Sequence, residues 1–328
     1  MSSLIESKLI ALISVNPKAG RRSSRILVDR LVEALRRRDF EVETYDNLAA
    51  VATRANELFS ARRLQALIGV GGDGTAAELV NRTLPGVPIT LLPTGTANLI
   101  ARYLKLPKSP EECAEMIADG AVLTLDVGVA NDRLFLIMAS AGIDAQIVRE
   151  VDSKRKERFE LRPNDQGGHI GYRSYVLPLV KSAKTYRFPQ IKLETLSETG
   201  TVANSTILGR WSLVFNLPQY GWGLPLSPGC SGFDGQLNHC VFKGKLVSEI
   251  IGAIFAQFWS LHRILPNVNL GRAVAYRLSP TESDAIIPYQ LDGDPCGFLP
   301  IEIRTIPKRF TVMTPKTTVQ KLKSSQID

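Results

Sequence analysis

Apolar runs that alternate with helical patterns fill the first part of the chain and predict an open α/β domain. Lys8 to Val15, Leu64 to Val70 and Val87 to Leu92 are continuous apolar runs typical of buried strands. Between the first two, apolar residues recur every three or four positions from residue 26 to residue 35, which indicates an amphipathic helix. Strands that alternate with helices up to about residue 125 imply a parallel sheet flanked by helices.

Beyond Leu125 the pattern changes to short strand-like runs separated by Gly, Pro, Asn and Asp. We therefore expect a second, mainly antiparallel β domain, and we place the boundary near Leu125. The charged segment from Val151 to Gln166 is interpreted as an exposed connection or as a surface that faces a membrane or a partner. The polar residues 316–328 are interpreted as a tail that frays. The fold class predicted for the whole chain is α/β.

Composition and charge exclude several classes of protein. A chain of 328 residues with 44% hydrophobic and 22% charged residues fits two globular domains, and it argues against a disordered, collagen-like or coiled-coil protein. The net charge of +8 favours anionic partners such as nucleotides, acidic lipid headgroups or nucleic acid, and does not choose among them. Four widely spaced cysteines without a C-x-x-C pair suggest reduced thiols in a cytosolic protein.

From the sequence we expect neither a targeting segment nor a nucleic-acid-binding motif. The amino-terminal segment lacks a signal-peptide pattern, and the apolar stretch from Leu246 to Leu265 is interrupted by Glu249, Gln257 and His262. We interpret that stretch as a half-buried helix. Since no helix-turn-helix, RNP or zinc pattern is present, we expect no binding of nucleic acid.

The strongest chemical signal is the Gly71-Gly72-Asp73-Gly74-Thr75 sequence, which follows a buried strand and precedes a helix. Glycines let a backbone approach a phosphate closely, and a helix N-terminus offers N–H donors to it. The carboxylate of Asp73 suits such a place if Mg²⁺ lies between it and the phosphates of a nucleotide. Taken alone, the motif also fits a tight turn with an aspartate at the helix N-cap.

Two further loops support a ligand site at the same edge. The segment from Asn16 to Gly20 follows the first strand, and the segment from Leu92 to Asn98 follows the fourth. In a parallel sheet such loops emerge together at the carboxyl ends of the strands, where ligands bind. Neither the Walker A pattern nor the G-x-G-x-x-G pattern is present, so a phosphate would be held in another way.

The order N-P-x-x-G, G-G-D-G-T-x-x-E and P-x-G-T-A-N-x-x-A-R resembles the diacylglycerol kinase catalytic domain family, which includes bacterial diacylglycerol kinases and sphingosine kinases. The similarity continues through Gly142 to Ala145, Phe233 to Leu237 and Gln290 to Asp294, and it extends over residues 8–313. It implies an α/β nucleotide domain over residues 1–125, completed by 304–315. It also implies a β-sandwich-like lipid domain over 126–303.

The resemblance also implies roles for individual residues. Asp234 matches an acidic position near a structural metal, and Asp294 stands where the family has the glutamate of its D-G-E motif, thought to be the general base. Aspartate is one methylene shorter than glutamate, so its carboxylate reaches less far towards the lipid hydroxyl that such a base would deprotonate. By itself, D-G-D between two strands is also a good turn. The residues expected to bind nucleotide or its Mg²⁺ are Asn16, Gly72, Asp73, Gly74, Thr75, Glu78, Thr94, Gly95 and Thr96, with Asp73 also named as catalytic.

The function implied is an ATP- and Mg²⁺-dependent lipid kinase of phospholipid biosynthesis that converts diacylglycerol to phosphatidic acid. Alternatives are a kinase for sphingoid or ceramide-type lipids, an NAD kinase-like enzyme for a soluble metabolite, and a non-catalytic relative that binds nucleotide or lipid. The expected location is the cytoplasm, with peripheral attachment to the membrane that holds the lipid substrate. The sequence also allows a homodimer.

Overall fold

The computed structural model describes residues 8–15, 21–161, 186–220, 226–227, 229–244 and 267–324. Asn16 and the apolar stretch from Leu246 to Leu265 lie outside these ranges. The chain divides into two compact units. The first comprises Met1–Leu125 with Arg309–Asp328, and the second comprises Asp126–Lys308.

The first unit is built on a parallel sheet. Its strand order is β2-β1-β3-β4-β16, with the last strand contributing its carboxyl-terminal part. The central strands β1 and β3 are mainly apolar and mostly buried, as expected where helices cover both faces of a parallel sheet. The strands are β1 (Ile10–Val15), β2 (Glu41–Tyr45), β3 (Leu64–Gly71), β4 (Ile89–Pro93) and β16 (Ile301–Thr314).

In the described part of this unit, five helices precede residue 121 and a sixth follows β16. Two of them begin at a side-chain cap that the sequence supplies. Asn47 accepts hydrogen bonds from the N–H groups of Ala49 and Ala50, and Ser109 accepts one from Glu112. The first five helices are α1 (Arg21–Arg36), α2 (Leu48–Ser60), α3 (Asp73–Arg82), α4 (Leu99–Tyr103) and α5 (Pro110–Asp119).

The carboxyl-terminal residues complete the first unit. The Arg309 guanidinium donates to the carbonyl oxygens of Val80 (2.8 Å) and Thr83 (2.6 Å), and so caps the carboxyl end of α3. Residues 316–328 were expected to form a fraying tail, but Lys316–Ser324 form helix α7. The hydroxyl of Thr318 is buried and donates to the carbonyl of Leu104, which anchors this helix.

The second unit contains two antiparallel sheets. One has the order β16-β13-β8-β9, and the other has the order β12-β11-β10-β7-β14-β15. Side chains from both sheets, among them Tyr276, Leu193, Val214 and Leu237, share one buried core. This arrangement is sandwich-like. The strands are β5 (Ala121–Ala130), β6 (Arg133–Phe135), β7 (Met138–Ala141), β8 (Ile191–Leu196), β9 (Val202–Gly209), β10 (Trp211–Phe215), β11 (Leu237–Phe242), β12 (Val268–Ala273), β13 (Ala275–Pro280), β14 (Pro288–Leu291) and β15 (Asp294–Phe298).

The charged segment that was interpreted as a connection is helical up to Leu161. Helix α6 spans Ile143–Leu161, and its charges support the helix locally, because Lys156 pairs with Asp152 one turn away at 2.8 Å. The predicted fold class is confirmed: an α/β unit with a parallel sheet accompanies a mainly antiparallel unit. Within the described ranges, no helix is long and apolar enough to cross a membrane.

Candidate nucleotide and acceptor sites

The glycine motif lies at the carboxyl end of β3, where the sequence predicts it. Gly71 is the last residue of that strand, Gly72 is the extended N-cap of α3, and Asp73 is the first residue of the helix. The N–H groups of Thr75 and Ala76 both bond to the carbonyl of Gly72 (3.0 and 3.2 Å), which closes the first helical turn.

The second loop, which follows β4, packs directly on the first. A Cβ atom on Gly95 would lie 2.8 Å from the Cα of Gly72, and a Cβ on Gly72 would lie 3.2 Å from the Cα of Gly95. The N–H of Thr94 donates to the carbonyl of Gly71 at 3.0 Å. Both positions therefore favour glycine because two backbones meet there, and the restriction is tighter at Gly95. Gly74 differs, since a Cβ on it would have no heavy atom within 4 Å.

The Asp73 carboxylate joins the two loops. Its Oδ2 accepts the N–H of Leu99 and its Oδ1 accepts the N–H of Ile100, both at 2.9 Å. Asp73 thus caps the N-terminus of α4, a helix 26 residues further along the chain. Burial raises the pKa of Asp73, while these backbone donors act in the opposite direction. A carboxylate held in this way is a structural clamp, whatever else it binds.

Asn98 is a site residue that the sequence reasoning did not single out. It adopts a left-handed conformation (φ 48°), its Oδ1 accepts the N–H of Gly95 at 3.0 Å, and its Nδ2 donates to the carbonyl of Gly95 at 2.6 Å. The signal for it was present, because Asn98 is the last residue of the Gly-Thr-Ala-Asn segment. Asparagine tolerates the left-handed conformation, and its side chain can bond nearby backbone groups, including those three residues earlier.

The other residues predicted to bind nucleotide lie in different environments. The Thr94 Oγ1 is buried and has no hydrogen-bond partner among the described residues. Thr75 is buried, Thr96 is exposed, and Glu78 forms an ion pair with Arg82 at 2.8 Å. The structure thus brings Gly72 and Gly95 into direct contact and bonds Asp73 to the start of α4, whereas Asn16 lies outside the described ranges.

The described residues do not fit a metal ion held by protein ligands alone. Across those ranges, no group of three or more His, Cys, Asp or Glu side chains is placed to hold one. Both oxygens of Asp73 already accept backbone N–H groups. Asp234 is exposed, and its Oδ1 accepts the N–H of Gln236 at 3.1 Å, the geometry of a turn.

In the second unit, the D-G-D segment is the turn between β14 and β15. Asp292, in a left-handed conformation (φ 50°), accepts the N–H groups of Leu136, Ile137 and Met138 at 2.6–2.9 Å. The side chain of Asp294 is half exposed and pairs with Arg133 at 3.1 Å. The two carboxylates thus have different environments: that of Asp292 is hydrogen-bonded to backbone N–H groups, whereas that of Asp294 faces solvent.

Asp126 is another buried acidic residue that the sequence reasoning passed over. Its Oδ2 accepts the N–H of Gly235 at 2.7 Å, and its Oδ1 accepts the N–H of Lys308 at 2.8 Å. It therefore ties the turn that carries Asp234 to the end of the second unit. The available signal was an aspartate in the middle of the apolar run of β5.

A buried polar cluster surrounds Asp144 at the start of α6. Its carboxylate accepts hydrogen bonds from the Ser140 hydroxyl (2.5 Å), the Trp211 indole (2.8 Å) and the N–H of Ala145 (2.8 Å). Burial raises the pKa of Asp144, and these donors oppose that effect. The sequence singled out this residue only as part of the segment from Gly142 to Ala145.

Comparison with known proteins agrees with these features. Residues 10–130 match the model of the diacylglycerol kinase catalytic domain. A diacylglycerol kinase of Bacillus subtilis is 24% identical over 317 residues, which cover 95% of this chain and 98% of that one. An uncharacterized protein of Synechocystis is 25% identical over 84% of this chain, a match that spans only 61% of the length of that relative.

Solved structures show the same fold. A Bacillus anthracis protein provisionally described as a diacylglycerol kinase superposes with a TM-score of 0.70 at 20% identity, covering 97% of this chain and 99% of that chain. An NAD kinase of Archaeoglobus fulgidus, solved in complex with ATP, gives a TM-score of 0.52 at 14% identity, covering 96% and 98%. The resemblance that the motifs indicated is confirmed by the match of residues 10–130 to the diacylglycerol kinase catalytic domain model.

Proposed function

We propose that this protein is a lipid kinase that transfers the γ-phosphoryl group of ATP to a lipid hydroxyl, with diacylglycerol as the first acceptor to test. The observation that carries the proposal is the joined pair of glycine loops at the edge of the parallel sheet. These loops lie within the part of the chain that matches the family model, and Asp73 and Asn98 hold them in one arrangement.

The nucleotide would bind at these two loops. The position of Gly74 is open, so that a phosphate can approach its backbone, and α3 begins beside it with its N-terminal dipole. The buried Oγ1 of Thr94 offers a hydroxyl donor that no described residue uses. Both features support a phosphate-binding role. A buried hydroxyl that lacks a hydrogen-bond partner lowers stability, and a bound phosphate would supply that partner.

Asp294 is proposed as the general base. Its carboxylate would take the proton of the lipid hydroxyl while the hydroxyl oxygen forms a bond to the γ-phosphorus. The bond between that phosphorus and the β,γ-bridging oxygen breaks, and ADP leaves with the electron pair. Because the described residues do not form a metal site, Mg²⁺ is proposed only as the ion that accompanies the phosphates of ATP.

The acceptor is proposed to reach the enzyme from a membrane surface in the cytoplasm. The net charge of +8 favours approach to acidic headgroups, at about 1 kcal/mol for each Lys or Arg close to the surface. Sphingoid bases, ceramide and NAD remain alternative acceptors, the last because of the similarity to the NAD kinase fold.

A transfer assay with labelled ATP and Mg²⁺ tests the proposal. The acceptors are diacylglycerol, ceramide and sphingosine in mixed micelles, together with soluble NAD. Labelled phosphatidic acid is the expected product. Labelled phosphate on ceramide or sphingosine would identify that lipid as the acceptor instead of diacylglycerol. Labelled NADP would show that the protein is a kinase for a soluble metabolite. If a preparation that binds ATP gave no labelled product, the proposal that the protein is a kinase would be wrong.

Substitution at residue 294 tests the base. Asp294→Asn should lower kcat at least about 100-fold, the lower end of a general-base contribution, while ATP binding by calorimetry is retained. The matched control is Asp284→Asn, which removes another exposed carboxylate of the same unit and should leave kcat unchanged. Unchanged turnover in Asp294→Asn would remove Asp294 from the mechanism.

A further inference from the structure

The buried cluster around Asp144 is connected by hydrogen bonds to the turn that carries Asp294. Ser140 and Gln290 face each other across the antiparallel pair β7 and β14. The Gln290 Nε2 donates to the Ser140 Oγ at 2.9 Å and to the Asp144 Oδ2 at 3.4 Å. At the other end of the same amide, the Oε1 accepts the N–H of Gly293 at 2.7 Å.

The direction of the Gln290 amide follows from the chemistry of its neighbours. An ionised carboxylate can only accept hydrogen bonds, and the Trp211 indole and the Ala145 N–H both donate to Asp144. The backbone N–H of Gly293 can only donate, so the carbonyl end of the Gln290 amide faces Gly293. The NH₂ end therefore faces Ser140 and the Asp144 Oδ2.

We propose that Asp144 is a positioning residue for the D-G-D turn: it orients the side-chain amide of Gln290, which in turn holds the N–H of Gly293. Gly293 has a φ of 91° and lies between Asp292, clamped by three backbone N–H groups, and the exposed Asp294. The Gln290 bond thus holds the residue directly before Asp294. Only the kinetic consequence of this inference rests on the proposed function.

Burying a carboxylate at position 144 would lower stability without benefit if it had no such positioning role. Asp144, Ser140 and Gln290 are 7%, 1% and 3% exposed, and burial of a charged group is unfavourable unless donors surround it. A neutral amide at position 144 would have nearly the same shape. It could present its own NH₂ group to Gln290, allow that amide to flip, and leave two donors facing each other at Gly293.

The test compares four variants of the full chain. Asp144→Asn and Gln290→Ala should each break the bond to Gly293, and they act at opposite ends of the connection. Trp211→Phe removes a donor to the other oxygen of the same carboxylate, Oδ1, and so measures a purely structural loss. Ser212→Ala is the buried control, because the Ser212 Oγ has no hydrogen-bond partner within the described ranges.

Two readouts are measured for each variant. Hydrogen exchange at the Gly293 amide, followed by NMR, should become about tenfold faster in Asp144→Asn and Gln290→Ala, as the loss of one hydrogen bond allows. In lipid phosphorylation, kcat should fall about 10- to 100-fold in these two variants with KM for ATP unchanged, as expected for a reacting group displaced by up to about 1 Å. Both controls should match the wild type in exchange and in kcat.

The outcomes separate the inference from the proposed function. Wild-type exchange at Gly293 in Gln290→Ala, which leaves the buried charge in place, would overturn the positioning role even if Asp144→Asn does not fold. Equal loss of kcat in Trp211→Phe would show that Asp144 acts only through stability, and so would also overturn it. A wild-type protein that phosphorylates no lipid would refute the proposed function, while the exchange measurement would still decide whether Asp144 orients the turn.

Discussion

Gly72 and Gly95 pack against each other, so glycines in these loops affect the stability of the fold as well as ligand binding. Alanine substitutions distinguish the effect on stability from the effect on ligand binding. A Cβ on Gly95 would lie 2.8 Å from the Cα of Gly72 and 2.8 Å from the Oδ1 of Asn98. Carbon atoms pack best at about 3.5–4.0 Å, so the new methyl is about 1 Å too close to a backbone that cannot rotate away.

The three glycines should therefore respond in a definite order. Overpacking of this kind costs about 1–3 kcal/mol, so Gly95→Ala should lower the Tm by about 3–10 °C in a unit of this size. Gly72→Ala, whose nearest contacts are at 3.2 Å, should cost less. Gly74→Ala meets nothing within 4 Å in the first turn of α3, and should stabilise the protein by about 0.5–1 kcal/mol.

Thermal denaturation without nucleotide and calorimetric titration with ATP are the two assays. If a phosphate lies against the backbone at Gly74, that variant should bind ATP more weakly although its Tm is unchanged or higher. Gly95→Ala should lose stability before any ligand is added. A wild-type Tm for Gly95→Ala would refute the contact between the loops, and an equal loss in Gly74→Ala would show that spacing does not decide the effect.

Three further predictions follow from buried polar groups. Thr94→Val should leave the Tm unchanged or higher, because it removes a hydroxyl that has no partner among the described residues, but should raise KM for ATP about fivefold if that hydroxyl binds nucleotide. Asp292→Ala should destabilise the protein by about 2–4 kcal/mol in urea denaturation, since it orphans three backbone N–H groups, whereas Asp284→Ala should change stability by less than about 0.5 kcal/mol. Burial lowers the pKa of His239, so below its ordinary pKa of 6.5 the unfolded chain binds a proton that the folded protein does not. Stability should then fall as the pH drops from 6.5 to 5, and His239→Gln should reduce that slope; an equal slope in the variant would contradict this assignment.

Much of the first unit could be predicted from local patterns. The strand that ends at Gly71 and the helix that follows it are visible as an apolar run, a glycine turn and a return to helical spacing. Antiparallel strands in the second unit likewise follow from short runs between turn residues. Helices α6 and α7 were not predicted, because charged and polar residues dominate their sequences and packing decided the outcome.

The roles of individual acidic residues could not be predicted in this way. Asp73 caps a helix 26 residues away, Asp126 accepts N–H groups from Gly235 and Lys308, and Asp144 reaches Trp211, which is 67 residues distant. Most of these donors are backbone N–H groups, which nearly every residue possesses and which leave no mark on a sequence. The sequence by itself determined where strands, glycine turns and acidic residues occur. Only the tertiary structure decided which carboxylates accept hydrogen bonds from backbone N–H groups far along the chain and which, like Asp294, remain exposed.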